Sequence, residues 1–103
     1  SNQSAAESDG VDERPRLNSD IQVPVPDKVK KAEVNARINL QFCVDITGRP
    51  YNIVVIEEDP PGSGLAQAGI EALSRAVFSP ATKGGEAVPF CGMEQPVEIK
   101  FRN

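Results

Sequence analysis

The sequence predicts a two-layer α+β sandwich: a three-stranded antiparallel sheet covered on one face by a main helix, with a short helix before it. Three observations carry that fold. Ile38, Leu40, Phe42 and Val44 alternate with Arg37, Asn39, Gln41 and Cys43, the two-residue period of a strand with one buried face. Val97, Ile99 and Phe101 alternate in the same way with Glu98, Lys100 and Arg102. Between them, Leu65, Ala66, Gly69, Ile70, Leu73, Ala76 and Val77 recur at three- and four-residue spacings, the apolar stripe of a helix. A chain of 103 residues holds one such core and one domain.

Taken in order, residues 1–20 offer only Ala5, Ala6, Val11 and Leu17 as apolar members, without period, and read as a disordered tether. The domain then spans 21–103. Val23, Pro24, Val25 and Pro26 form a stiff, extended entry, because each proline fixes its own φ and biases the residue before it. Val29, Ala32 and Val34 among Lys28, Lys30, Lys31 and Glu33 fit one or two helical turns, with Asp27 as cap. The first strand follows from Arg37 to Val44, and Asp45 to Gly48 break it, with Gly48 free to take positive φ. A second strand runs from Tyr51 to Glu58. Its consecutive Ile53, Val54, Val55 and Ile56 predict partial cover on both faces. Glu57 to Gly64 read as a loop, Leu65 to Phe78 as the main helix stopped by Pro80, and Lys83 to Glu86 as a turn before the last strand, Val97 to Phe101. A helix between the second and third strands returns the chain, so those strands run the same way. Antiparallel pairing then places the first strand in the middle, order 2-1-3, with Val97 to Phe101 on an edge.

Composition narrows the function. There is no His and there are two Cys, so the common zinc sets and the His-dependent nucleophile systems lack their parts. No catalytic, metal-binding or cofactor-binding residue is expected, and the chain does not read as an enzyme. Glu57, Glu58 and Asp59 read as a solvated loop rather than an acid–base pair, Ser63 as a helix N-cap rather than a nucleophile, and the three lysines from Lys28 to Lys31 as a solvated helix face. The net charge of −4 is concentrated in residues 1–20, where five acids face two bases, and leaves a near-neutral body with no field for nucleic acid. No apolar run approaches the roughly 20 residues of a membrane span, so membrane attachment is expected only through an upstream segment.

Several spaced residues coincide with a known family. Val25 and Pro26 stand at its Tyr-Pro entry pair and Ala36 at its glycine. Asp45 to Gly48 match its Asp-x-x-Gly turn, and Phe78, Ser79, Pro80 and Ala81 its Phe-x-Pro-Ala signature. Gly85 to Val88 are similar to a Gly-x-Pro-Val turn, with Ala87 at the proline, and Val97, Ile99 and Phe101 to the terminal strand. From Pro24 to Phe101 the chain thus resembles the C-terminal domain of TonB, the periplasmic energy transducer of Gram-negative bacteria. The resemblance implies a non-catalytic periplasmic domain, monomeric or weakly dimeric, that contacts outer-membrane receptors to support active transport. A structural or adaptor domain of the cell envelope with the same fold is the second reading. Cys43 and Cys91 are either two buried thiols or a pair, and an even count in an exported family implies a disulfide. Cys43 sits on the polar parity of its strand while Cys91 shares parity with Val97, Ile99 and Phe101, which a bulge near Gly92 or Pro96 reconciles.

An edge strand offers unpaired N–H and C=O groups that an extended peptide can satisfy. The expected partner is such a peptide, from an outer-membrane receptor or another envelope protein. Its expected site is Val97, Glu98, Ile99, Lys100, Phe101 and Arg102 with the entry segment Gln22, Val23, Pro24 and Val25 beside them. Gln22 matches a glutamine flanking the family's site. The outward Glu98, Lys100 and Arg102 fit a second role equally, guarding the edge against aggregation.

Overall fold

The computed structural model describes residues 10–101. In chain order these form β1 (Arg16–Leu17), α1 (Asp27–Ala32), β2 (Ala36–Val44), β3 (Pro50–Asp59), α2 (Leu65–Ser74), β4 (Phe78–Ser79), β5 (Ala81–Lys83), β6 (Glu86–Val88) and β7 (Phe90–Ile99). The main sheet is antiparallel in the order β3-β2-β7, so the first long strand is central, as the chain-return argument requires.

The alternation in β2 sets the two faces. Ala36, Ile38, Leu40, Phe42 and Val44 are all buried and join Val29 of α1 and Leu65, Ala66 and Leu73 of α2 in one core, while Arg37 and Gln41 are exposed. Helix α2 approaches closely at Gly69, where an added Cβ would lie 2.6 Å from Ile38 Cδ1. Phe78 closes the core beyond the helix, its ring centroid 5.6 Å from that of Phe42.

Six expectations change. Helix α2 ends at Ser74 with Arg75 as C-cap, not at Phe78. The chain is captured by other partners there: Phe78 N–H donates to Gly48 C=O at 2.9 Å, and Phe78–Ser79 pair with Arg16–Leu17. Glu57, Glu58 and Asp59 belong to β3 rather than to a loop, opposite Asn39, Ile38 and Arg37. The apolar run of β3 is not covered on both faces, since Val54 is 53% and Ile56 48% exposed. The last strand begins at Phe90, seven residues before the expected start, and ends at Ile99. Pro26, not Asp27, occupies the N-cap position of α1, without a side-chain cap.

The sixth change concerns the N-terminal segment. Residues 1–9 lie outside the described residues, but residues 10–18 lie against the body rather than forming a tether. Asp12 N–H donates to Thr82 C=O at 2.8 Å, Asn18 N–H donates to Val77 C=O at 2.9 Å, and Pro15 is buried. Too little apolar content for a core is still enough for a short ladder along an extended neighbour.

Candidate functional site

The outer edge of β7 is the candidate site, and the register of the sheet explains its shape. Residues Met93 to Ile99 pair one-to-one with Phe42 to Ala36. Next the register slips: Phe42 faces Met93 but Cys43 faces Cys91, leaving Gly92 as the extra residue with φ 95°. Glycine takes that conformation without the steric cost of a Cβ. The bulge also resolves the parity conflict, because it turns Cys91 to the face of Cys43. The two form a disulfide with Cα atoms 4.0 Å apart. Beyond the bulge, Met93, Val97 and Ile99 are half-buried and pack on the core, while Glu94, Pro96 and Glu98 are exposed on the open face.

The open face is polar and internally paired. Asn39 Nδ2 donates to Glu94 Oε1 at 2.8 Å, tying β2 to β7. Arg37 Nε donates to Glu57 Oε2 at 3.0 Å, and Arg37 Nη2 lies 3.6 Å from Asp59 Oδ2. The hydrogen bond and charge of Glu57 hold the Arg37 guanidinium above its ordinary pKa. Among the described residues, no group of three or more His, Cys, Asp or Glu side chains comes together in a way that could hold a metal ion.

The structure distributes the expected site residues unevenly. Val97, Glu98 and Ile99 are on the edge strand itself. Lys100 follows it, exposed, with Nζ 3.9 Å from Glu98 Oε1. Phe101 is half-buried on the core, held by its N–H donating to Asn35 Oδ1 at 2.9 Å. Arg102 lies outside the described residues. Val23 and Val25 pack on the same core as Val97 and Ile99, and Pro24 is exposed between them. Gln22 opens instead into a cleft shared with Asp20, Ala72, Arg75 and Ala76 at the end of α2.

Sequence reasoning missed Met93, Glu94 and Gln95, the first half of the regular edge. Their signal was present: Met93 shares parity with Val97 and Ile99, but Gly92 and Pro96 interrupt the pattern. It also missed Arg14 and Pro15, which line an open cleft of about 550 Å³ with Gly92, Met93 and Glu94. Arg14 places its guanidinium carbon 5.2 Å from the centroid of the fully buried Phe90 ring, a cation–π contact.

The other edge, β3, is interrupted twice. Asn39 faces Glu57 while Leu40 faces Val55, so Ile56 is an extra residue. A second extra residue falls between Val54 and Tyr51, where Asn52 has φ 52°. Bulges twist an edge and spoil its regular spacing of donors and acceptors. At the far end of β3, Glu58 turns from sheet to helix duty. Ala66 N–H donates to Glu58 Oε2 at 3.1 Å, and Ser63 Oγ donates to the same oxygen at 3.1 Å. These bonds, led by Ala66 N–H, hold the Glu58 carboxyl below its ordinary pKa. Gly64, not the expected Ser63, occupies the N-cap position of α2; from one residue earlier Ser63 Oγ accepts from Leu65 N–H at 3.1 Å, and Glu58 supplies the charge.

The model of the Gram-negative bacterial TonB protein C-terminal family matches residues 22–102. No curated protein sequence matches the chain. Two of the solved structures that share the fold are TonB domains. The TonB2 protein of Vibrio anguillarum superposes with a TM-score of 0.65 at 22% identity, over 89% of this chain and 86% of that one. The TonB C-terminal domain of Pseudomonas aeruginosa, a solution NMR structure, superposes with a TM-score of 0.62 at 19% identity, over 95% of this chain and 93% of that one.

Proposed function

This chain belongs to the Gram-negative bacterial TonB C-terminal family, and on that premise we propose that it is a non-catalytic periplasmic interaction domain. In this reading it binds an extended peptide of an outer-membrane receptor and so supports active transport. One observation carries the choice of surface. The edge of β7 runs seven residues, Met93 to Ile99, in unbroken register, whereas β3 is broken by two bulges. A peptide adding to a sheet needs donors and acceptors at a regular repeat along the strand. The β7 edge supplies that repeat except at Pro96, which has no N–H. Specificity would come from side chains flanking the edge, Glu94 and Glu98 on the open face and the half-buried Met93 and Val97 on the other.

An NMR titration with peptides from the N-termini of outer-membrane receptors encoded in the same genome tests the proposal. Shifts concentrated on the amides of Met93 to Phe101 support it, and further shifts at Gln22, Val23 and Val25 bring the entry segment into the site. No shift at millimolar peptide overturns it in favour of an envelope adaptor without receptor contact.

A further inference from the structure

We propose that residues 10–18 act as a detachable strap: they leave and rejoin the body as a unit while the three-stranded sheet stays folded. The strap would thereby hold a reserve of extended chain between residues 1–9 and the domain. This does not depend on the peptide-binding reading.

The attachment is mostly polar and lies at the surface. Beyond the short β1–β4 ladder, Asp12, Glu13 and Asn18 bond to the backbone of Thr82 and Val77, with Thr82 N–H returning a bond to Glu13 C=O at 3.0 Å. Side chains add three contacts, all exposed: Gly84 N–H to Asp12 Oδ2, Thr82 Oγ1 to Glu13 Oε1 and Ser79 Oγ to Asn18 Oδ1. Water can replace each of these bonds when the strap leaves. Non-polar anchoring is limited to buried Pro15 and the Arg14 guanidinium over the Phe90 ring, while Leu17 is 42% exposed and Arg16 is exposed. Elements with few buried apolar contacts and solvent-exposed backbone bonds open first in native proteins.

The body keeps its own fastenings when the strap is gone. Phe78 remains bonded to Gly48 and packed against Phe42, and β5 remains paired with β6. Opening also has a natural stop. Exposed Ser19 and Asp20 lead to Ile21, Val23 and Val25, which pack on the core along a path stiffened by Pro24 and Pro26. Release from Asp12 to Asn18 frees a stretch that spans about 23 Å when extended.

Native-state hydrogen exchange on the oxidised full chain tests the strap. The amides of Asp12, Asn18 and Thr82 should exchange at least about 100-fold faster than those of Leu40 and Phe42, with almost no dependence on low denaturant, the mark of local opening. Exchange of both sets at one rate, with one denaturant dependence, overturns the proposal. Optical-trap pulling through tags on the two chain termini gives a second reading. A reversible extension of about 20–45 Å should precede the main unfolding event, and a single event without it also overturns the proposal.

Discussion

Replacing Gly48 by alanine separates two costs that a glycine in a turn can hide. Gly48 has φ 90°, and an alanine Cβ there would fall far inside van der Waals contact distance of the Phe78 carbonyl oxygen. Gly85 has φ 83° with nothing within 4 Å of its added Cβ, so Gly85→Ala carries only the backbone cost, about 1 kcal/mol. Gly48→Ala carries that cost and more. To make room, the turn must part from Phe78, which loses the bond from Phe78 N–H to Gly48 C=O and leaves buried polar groups unpaired, a further 2 kcal/mol or about that. The Phe78 ring, packed on Phe42, moves with its backbone. Together these give about 3–4 kcal/mol for Gly48→Ala. In a domain of this size each kcal/mol lowers Tm by about 4–8 °C. Calorimetry or urea unfolding of the two variants should therefore show a modest loss for Gly85→Ala and a collapse of about 12–30 °C, or failure to fold, for Gly48→Ala. Losses that agree within about 1 kcal/mol would refute the reasoning, because the contact with Phe78 would then contribute nothing.

Three further outcomes follow from the same geometry. Glu58→Gln should destabilise the domain by about 0.5–2 kcal/mol in urea titration, by weakening the charge-assisted cap on α2, and a loss under 0.2 kcal/mol would show that Ser63 caps alone. Glu58 and Asp45 both have folded-state pKa values below their ordinary ones, Asp45 chiefly through Arg49 N–H, so their stabilisation is present above the unfolded pKa and is lost as pH falls through the folded one. Stability should accordingly decline on acidification through and below the ordinary carboxylate range, and Glu58→Gln should flatten that decline; parallel profiles would contradict the cap. Finally, the Cys43–Cys91 bond spans a sequence separation of 48 residues, and its reduction should cost about 3–4 kcal/mol, read as a lower urea midpoint in reductant. An unchanged midpoint would mean that the reduced chain keeps β7 in register unaided.

Local chemistry decided the elements whose pattern is local. The two-residue alternation in β2 is strong enough to choose its buried face in any three-stranded arrangement. The spacing from Leu65 to Leu73 writes one face of α2 directly into the sequence, and Asp45 to Gly48 carry the turn. The order of strand, strand, helix, strand then leaves one antiparallel order for the sheet, and the Phe-x-Pro-Ala and terminal-strand residues carry the family. What the sequence could not decide lies where a second segment competes for the backbone. Helical spacing continues to Val77, yet α2 stops at Ser74 because Gly48 and the strap take the Phe78 amide and its neighbours into extended pairing. Val54 to Ile56 read by composition as partly covered on both faces, yet they are exposed because β3 is an edge strand and its bulges break the alternation. The early half of β7 was hidden for a related reason: a bulged glycine shifts parity, and only the partner strand shows where the count resumes. Pairing between distant segments has no local period, so the strap, the bulges and the usable edge became visible only in the tertiary structure.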